Sequence, residues 1–347
     1  PTRCWPPVRP SGSLMDEQGA STEWEVIAFG LLLLFELFTP SIFLDFASSD
    51  PAESEQLGHL AAHDGPQLLC NLPPGNDVRK YELVAQATDW EISEGHVISI
   101  WTFNGSVPGP TICARVGDTI ELTLTNRLST IASFHAHGLA FDPDSDGTFL
   151  SNSFVPPGGS RTYYLEARPD SVGTWAYHDS VAELDEEPFI PGVTIPESGE
   201  GIERGMYGAI IVLGGEEEPV DHEVLLFLGD VGPEVTRQGT LEVINGRAAP
   251  LTPEITLEEG ERVRFRIINA GPNDAHDFYV SGHLLENVHN EQVVNGSVSF
   301  EELSSVSLGS LTFGDWVMTA GSAGTYSYAC SVPGHKDAGM HGILRII

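Results

Sequence analysis

The stretch GDTIELTLTN, residues 117–126, alternates apolar and polar side chains, a pattern typical of a half-buried β-strand. The same design recurs later in the chain as GERVRFRIIN, residues 260–269. Both stretches open with a glycine and an acidic residue and close with an asparagine. A strand pattern that recurs between the same flanking residues suggests that the chain contains two copies of one unit.

Two further pairs of stretches occur in the same order along the chain. They are GTWAYHDS (173–180) with GTYSYACS (324–331), and GMYGAI (205–210) with GMHGIL (339–344). Three ordered matches predict an internal duplication and an all-β chain of two similar β-sandwiches. We place the first domain at residues 80–215 and the second at 216–347, with the junction in GGEEEP, residues 214–219.

The last repeat of the second half carries an unusual set of soft metal ligands. Cys330 is followed five residues later by His335 and five further on by Met340. A thiolate, an imidazole and a thioether on one loop suit a mononuclear copper site, which needs one more histidine from a distant strand. His276 is well placed to supply it. The alternative is a buried free cysteine beside unrelated histidine and methionine residues.

The first half lacks the thiolate, because Asp179 falls opposite Cys330, and Met206 falls opposite Met340. It has histidines instead. Alternation along a strand places His135 and His137 on one face, and His178 lies in the repeated stretch 173–180. Three imidazoles without sulfur predict a type 2 copper site, or a zinc site with an open position. The alternative is a structural histidine pair with an unrelated third.

The C-x4-H-x4-M run resembles the type 1 copper loop of cupredoxins, and residues 80–347 resemble the two-domain multicopper oxidases and, more loosely, the copper nitrite reductases. The resemblance implies two tandem cupredoxin-like Greek-key β-sandwich domains, copper cofactors and assembly as a homotrimer. His135 and His137 match the H-x-H-G motif of the oxidases' trinuclear cluster. In the nitrite reductases, the positions matching His135 and His178 hold the type 2 copper.

Several positions depart from the oxidase pattern. Ser180 stands where a second cluster histidine is expected, Ser281 stands in the place of a further H-x-H-G motif, and Ala329-Cys330-Ser331 replaces H-C-H. Five of the eight cluster imidazoles are therefore missing, and a complete trinuclear cluster is not expected unless carboxylates or His283 substitute. The Cys–His dipeptide that links the copper sites of the family is missing as well.

His283 follows Ser281-Gly282 and resembles the histidine that assists proton delivery in the nitrite reductases. The alternative is a histidine at a strand end that faces solvent. Ser133 stands where the reductases have a catalytic aspartate, which argues against nitrite chemistry.

The 347-residue chain has 16 basic and 50 acidic residues, a formal net charge of −34. Such a field repels nucleic acid and anionic membranes, so we expect neither as a partner. Two explanations stay open: an acidic docking face for a basic partner, or adaptation to high salt, where screening weakens self-repulsion.

Residues 1–79 precede the strand pattern. The apolar run at 26–35 has the length of a signal-peptide core, which predicts export, although acidic residues precede it. A buried helix or a tail anchor is the alternative. Residues 48–79 have the composition of a linker. If Cys330 binds copper, Cys70 and Cys113 form a candidate disulfide, consistent with an extracytoplasmic setting.

These patterns predict a copper oxidoreductase. A redox protein would donate electrons at a type 1 copper, and a small-molecule oxidant such as nitrite or dioxygen would be reduced at a type 2 copper. One alternative is an electron carrier whose catalytic cluster has degenerated. Another is a copper-binding or copper-storage protein without turnover.

Overall fold

The computed structural model describes residues 68–73, 77–148, 150–180, 199–215, 217–290 and 302–347. The apolar run at 26–35, Cys4 and most of the predicted linker lie outside the described residues. Within the described part of the chain, no helix has the length and apolar character needed to cross a membrane.

The first sandwich consists of two facing sheets. Its strands are β1 (Val78–Ser93), β2 (His96–Phe103), β3 (Ile112–Arg115), β4 (Thr119–Asn126), β5 (His135–Ala136), β6 (Ala140–Phe141), β7 (Ser160–Glu166), β8 (Gly173–His178) and β9 (Tyr207–Leu213). One sheet has the order β2-β1-β4-β7-β6 and the other β3-β9-β8-β5. Strand β4 buries every second residue, as its alternation predicts. Short 3-10 helices at Pro143–Ser145 and Pro169–Ser171 and the helix α1 (Glu200–Glu203) connect strands.

The second sandwich repeats this plan. Its strands are β10 (His222–Val231), β11 (Leu241–Ile244), β12 (Ile255–Leu257), β13 (Arg262–Asn269), β14 (His276–Val280), β15 (Leu285–Asn290), β16 (Glu302–Leu303), β17 (Val306–Leu308), β18 (Phe313–Thr319), β19 (Gly324–Cys330) and β20 (His341–Ile346), with the helix α2 at Pro233–Thr236. The sheets have the orders β11-β10-β13-β18-β15-β16 and β12-β20-β19-β14-β17. The predicted all-β fold with two tandem sandwiches is confirmed.

Equivalent contacts in the two sandwiches support the duplication. Strands β1 and β4 pair in parallel, as do β10 and β13. Asn104 uses both ends of its side-chain amide to bind the backbone of β1, and Asn245 does the same to β10. Tyr177 and Tyr328 each donate a hydrogen bond to a proline carbonyl. When the halves are aligned on these two asparagines, Trp101, three residues before Asn104, falls at the position of Glu242, three residues before Asn245.

A hydrophobic cluster between the sandwiches joins them. Tyr207 packs on Phe227 with ring centroids 5.1 Å apart, and Trp175 packs on Phe313 at 4.9 Å. The buried members of this cluster come from both halves: Ile92, Ile98, Ile100, Val107, Ala176, Ile202, Tyr207, Ala209, Phe227, Val231, Val235, Val243, Ala248, Ile268, Ala270 and Phe313. Burial of this apolar surface favours a fixed arrangement of the two sandwiches.

A buried ion-pair network lies beside this cluster. The Arg266 side chain is fully buried and pairs with Glu223 and, at 3.0 Å, with Asp315. Arg266 also donates to the Thr174 hydroxyl of the first sandwich at 2.9 Å. The predicted junction contributes Glu217, which lies 3.3 Å from Arg266. A charge of this kind is tolerated in the interior only because its partners are present.

Cys70 and Cys113 form a disulfide, with the two Cα atoms 5.8 Å apart. It ties residues 68–73 to strand β3 of the first sandwich, where Arg115 also donates to the Leu72 carbonyl at 2.7 Å. The pairing that cysteine usage left as a candidate is therefore present. Cys330 is buried and free.

Candidate metal centres

The backbone of the second sandwich brings four predicted ligands together; we call His276, Cys330, His335 and Met340 the cysteine–histidine set. His276 begins β14 and Cys330 ends the adjacent β19. The amide of Cys330 donates to the Met340 carbonyl at 3.1 Å, and the amide of Met340 donates to the His335 carbonyl at 3.0 Å. These bonds fold the loop back on itself. Met340 is fully buried in the same core cluster as Cys330.

The side chains of His276, Cys330 and His335 face one another. The Nδ1 atoms of His276 and His335 are 3.1 Å apart, and Cys330 Sγ lies 3.7 Å from His335 Nδ1. The amide of Asp277 donates to Cys330 Sγ at 3.3 Å. Two imidazole nitrogens on one metal, each at about 2.0 Å, must approach this closely. The donor types and the spacing fit a mononuclear copper ion.

Burial keeps the imidazole of His276 neutral. Burial, with a contribution from His335, lowers the pKa of His276 to about 4. Burial also raises the pKa of the Cys330 thiol. His335 is the most accessible ligand side chain, with 13% of its surface exposed, against 0% for His276. The set is therefore closed except at the edge of His335.

The sequence did not point to Glu242, which faces the cysteine–histidine set from strand β11. Its Oε2 atom lies 3.5 Å from His335 Nδ1 and 3.9 Å from His276 Nδ1. Burial, with the nearby carboxylates of Asp230 and Asp274, raises the pKa of Glu242 to about 7. One glutamate among 50 acidic residues carries no signal in the sequence, and only the pairing of β11 with β10 brings it here.

The first sandwich brings the other predicted ligands together; we call His135, His137 and His178 the three-histidine set. His135 on β5 pairs directly with His178 on β8. The Nε2 atoms of His137 and His178 are 3.0 Å apart, and one nitrogen from each of the three rings lies within 4.8 Å of the others. His137 lies just beyond β5, so the predicted convergence of the three imidazoles is present.

Backbone carbonyls orient two of these rings. His135 Nδ1–H donates to the Asp146 carbonyl at 2.6 Å, and His178 Nδ1–H donates to the Asp179 carbonyl at 2.9 Å. This leaves the Nε2 lone pair of each ring available, which is the usual arrangement of metal-binding histidines. The set fits a metal bound by nitrogen alone. A hydrogen bond between His137 and His178 would account for their contact without explaining the third ring.

The environment of the three-histidine set is buried on one side. Burial lowers the pKa of His178 to about 3 and that of His137 to about 4. His135 and His137 keep partial exposure. Gly138 of the H-x-H-G motif has φ +71° and lies against the Trp175 ring, where a Cβ would come within 1.8 Å. The motif glycine thus lets the indole pack beneath the set.

The serines that stand where the family motifs have other residues form hydrogen bonds within the fold. Ser281 Oγ accepts from the Ser327 amide at 2.9 Å, and the Ser331 amide donates to the Asp277 carbonyl at 2.8 Å. Ser133, at the position of the reductase aspartate, is buried, and its amide donates to the Asp179 carboxylate at 2.6 Å.

His283 lies in a turn of the second sandwich with both ring nitrogens engaged. Nδ1–H donates to the Ser281 carbonyl at 3.0 Å, and Nε2 accepts from the Gly321 amide at 3.1 Å. Its ring also contacts Tyr326, with ring centroids 4.7 Å apart. These contacts hold the turn together; a role in proton delivery stays a prediction.

Two family models described as multicopper oxidase match the chain, one over residues 84–216 and the other over residues 225–344. The chain belongs to the multicopper oxidase family. The prediction of copper as the cofactor is confirmed at the level of this family.

Relatives of two kinds are similar to this multicopper oxidase family member. The chain is 28% identical to a probable nitrite reductase–hydroxylamine oxidoreductase fusion protein of Kuenenia stuttgartiensis, over 70% of this chain and 28% of that protein. It is also 28% identical to multicopper oxidase MmcO of Mycobacterium tuberculosis, over 70% of this chain and 52% of that protein. The chain thus spans at most about half of the length of these two relatives.

Among solved structures, a copper nitrite reductase from Nitrosomonas europaea superposes with a TM-score of 0.65 at 23% identity, over 78% of this chain and 94% of that one. This similarity shows a shared cupredoxin-like fold.

Proposed function

We propose that this protein is a copper oxidoreductase with two separate metal centres, at the cysteine–histidine set and at the three-histidine set. Copper bound there would supply one-electron transfer at the first centre and a binding position for a small oxidant at the second. The observation that carries the proposal is the pair of close nitrogen contacts, 3.1 Å between His276 and His335 and 3.0 Å between His137 and His178.

Each set of residues suits its proposed role. The fully buried His276 and the buried Cys330 and Met340 exclude water, while the exposed edge of His335 offers an electron donor a point of contact. His135 and His137 are only partly buried, which leaves access for a molecule as small as nitrite or dioxygen. Backbone carbonyls fix the tautomers of His135 and His178, which supports binding without reorganisation.

Within one chain, electrons would pass between the two centres through non-bonded contacts, because the Cys–His dipeptide path of the family is missing at Cys330. Ala329 and Ser331 flank Cys330, so no histidine extends from the thiolate strand. Phe313 of the second sandwich lies between the halves, 6.1 Å from the His137 ring and packed on Trp175.

We also propose that the protein is a homotrimer and that it works in an extracytoplasmic setting. The family resemblance supports the homotrimer, and the Cys70–Cys113 disulfide supports the extracytoplasmic setting.

A second candidate is an electron carrier with a single working centre. The serines at positions 180, 281 and 331, where cluster histidines are expected, favour it. On that account, the three-histidine set would be a structural remnant, and the protein would exchange electrons without reducing an oxidant of its own.

Copper stoichiometry with electron paramagnetic resonance separates the two candidates. We expect two coppers per chain, one of them with a type 2 signal that disappears in His135→Ala while the other persists. His222→Ala is the matched control, because His222 pairs with Glu261 at 2.9 Å, away from both sets. One copper per chain, with the oxidant-reducing activity unchanged in His135→Ala, would contradict the two-centre proposal and favour the carrier.

A further inference from the structure

Glu242 is a buried carboxylate whose environment does not compensate its charge. Only 4% of the residue is exposed, and its Oε2 atom has no hydrogen-bond partner among the described residues. Within salt-bridge distance in the described structure, Oε2 meets the two histidines of the cysteine–histidine set and no arginine or lysine. A carboxylate isolated in this way is costly unless a cation is bound beside it.

The position of the carboxylate oxygen indicates where that cation lies. Oε2 is 3.5 Å from His335 Nδ1 and 3.9 Å from His276 Nδ1, the same two nitrogens that approach each other to 3.1 Å. The oxygen and both nitrogens therefore border one small volume, and the Cys330 sulfur lies 3.7 Å from the nitrogen of His335. The pairing of Asp230 with Glu242 across β10 and β11 places a second buried carboxylate nearby, which makes an empty site still less favourable.

The other half of the duplication has a different residue at this point. Trp101 occupies the position equivalent to Glu242, and the first half has no thiolate. In this chain the carboxylate therefore occurs in the half that has the cysteine ligand, and it is not among the features that both halves share.

We propose that Glu242 is an additional, oxygen ligand of the copper in the cysteine–histidine set, beside His276, Cys330, His335 and Met340. This inference rests on the proposed function, because it requires copper at that set. A carboxylate oxygen is a hard, anionic donor, whereas thiolate and thioether sulfur are soft donors that suit Cu(I). Glu242 therefore stabilises the cupric state and lowers the reduction potential of the centre. The partner that reduces the centre must then be a correspondingly strong reductant.

Spectroscopy of the copper-loaded protein tests this ligand. In Glu242→Gln we expect the thiolate-to-copper absorption to move to longer wavelength and the copper hyperfine coupling to change. We also expect the equilibrium to favour the reduced state at least tenfold more, which is a rise of about 59 mV in potential for one electron. Copper-loaded Glu242→Gln with the wild-type absorption and hyperfine coupling would overturn the proposal.

Asp230→Asn is the matched control. It removes a buried negative charge from the adjacent strand, where Asp230 accepts from the Asn273 side chain at 2.7 Å. Within the described residues, Asp230 has no ion pair with either histidine of the set. A field effect alone would shift the potential in both variants and leave both absorption spectra unchanged, which would also contradict ligation.

A measurement on the wild-type protein keeps the test independent of variant folding. Pulsed paramagnetic resonance on protein carrying glutamate labelled with ¹³C at the carboxyl carbon should show a carbon coupled to the copper. Absence of that coupling in a protein with a thiolate-to-copper band would exclude Glu242 as a ligand and leave the proposed function intact. A wild-type protein without the band would instead contradict the proposed function itself.

Discussion

Met340 shows how a single residue of the copper loop is held independently of any metal. Its amide and carbonyl both form hydrogen bonds within the loop, and its side chain is fully buried in the core. Spacing in the sequence was enough to predict Cys330, His335 and Met340 as a group. Glu242 could not be predicted, because its position depends on strand pairing and its residue type is common in this chain.

Met340→Leu tests the assignment of the thioether. Leucine has a similar volume and is apolar, so the loop should keep its fold. Because the axial thioether bond is weak, we expect copper to be retained. Loss of this donor should shift the potential by roughly 60 mV or more, a tenfold change in the one-electron equilibrium. Redox titration of the copper-loaded variant measures this, and loss of all copper binding would contradict the assignment.

At the scale of the element, the copper loop depends on the strand against which it docks. The Glu242 amide donates to the Ala338 carbonyl at 3.1 Å, and the Ala249 amide donates to the Gly339 carbonyl at 2.9 Å. Sequence periodicity predicted β4 well, because only one of its faces is buried. It could not show that β13 is buried almost throughout, since its arginines alternate as if they faced solvent. The neighbouring sandwich and the acidic junction cover that face.

Gly339→Ala tests the docking of the loop. Gly339 has φ +123°, and a Cβ there would come within 2.5 Å of the Ala248 Cβ and 2.8 Å of the Glu242 carbonyl oxygen. We expect it to lower the free energy of unfolding by about 2–4 kcal/mol through strain and overpacking. Gly334→Ala is the control, because Gly334 also has a positive φ, +93°, but a Cβ there would meet no atom within 4 Å. Backbone strain alone should then cost about 1–2 kcal/mol. Urea denaturation compares them, and equal losses would contradict the docking argument.

At the scale of the whole molecule, the duplication was readable from three repeated stretches, and the structure confirms it. The contact between the sandwiches could not be predicted from the sequence, because apolar residues such as Phe227 and Phe313 have the character of core residues of a single domain. The proximity of His135 and His178 was predicted, because the strands that carry them are neighbours in the cupredoxin fold that the copper loop resembles. Orientation of the rings by the carbonyls of Asp146 and Asp179 depends on loop conformation, which periodicity does not describe.

Buried histidines predict acid sensitivity of the copper-free protein. Burial lowers the pKa of His178 to about 3 and those of His137 and His276 to about 4. The unfolded chain, with histidine pKa values near 6.5, therefore binds more protons below that pH, so stability falls as the pH drops from 6.5 to about 4. Each shift corresponds to roughly 2 kcal/mol lost between pH 6.5 and 5.

Glu242 acts in the opposite direction. Burial raises its pKa to about 7, so protonation of the folded state as the pH falls through 7 offsets part of the loss. Urea denaturation in the presence of a chelator, at several pH values between 7.5 and 5, measures the balance. We expect a net loss of stability toward pH 5 that is smaller in His178→Gln. A stability that is constant or rises toward pH 5 would show that these imidazoles are not buried and neutral.

The visible absorption of the wild-type protein loaded with cupric salt under anaerobic conditions tests the central claim most directly. A buried Cys330 thiolate bound to copper beside His276 and His335 predicts an intense thiolate-to-copper band that Cys330→Ser abolishes. A colourless wild-type protein, or a band that persists in Cys330→Ser, would contradict the account.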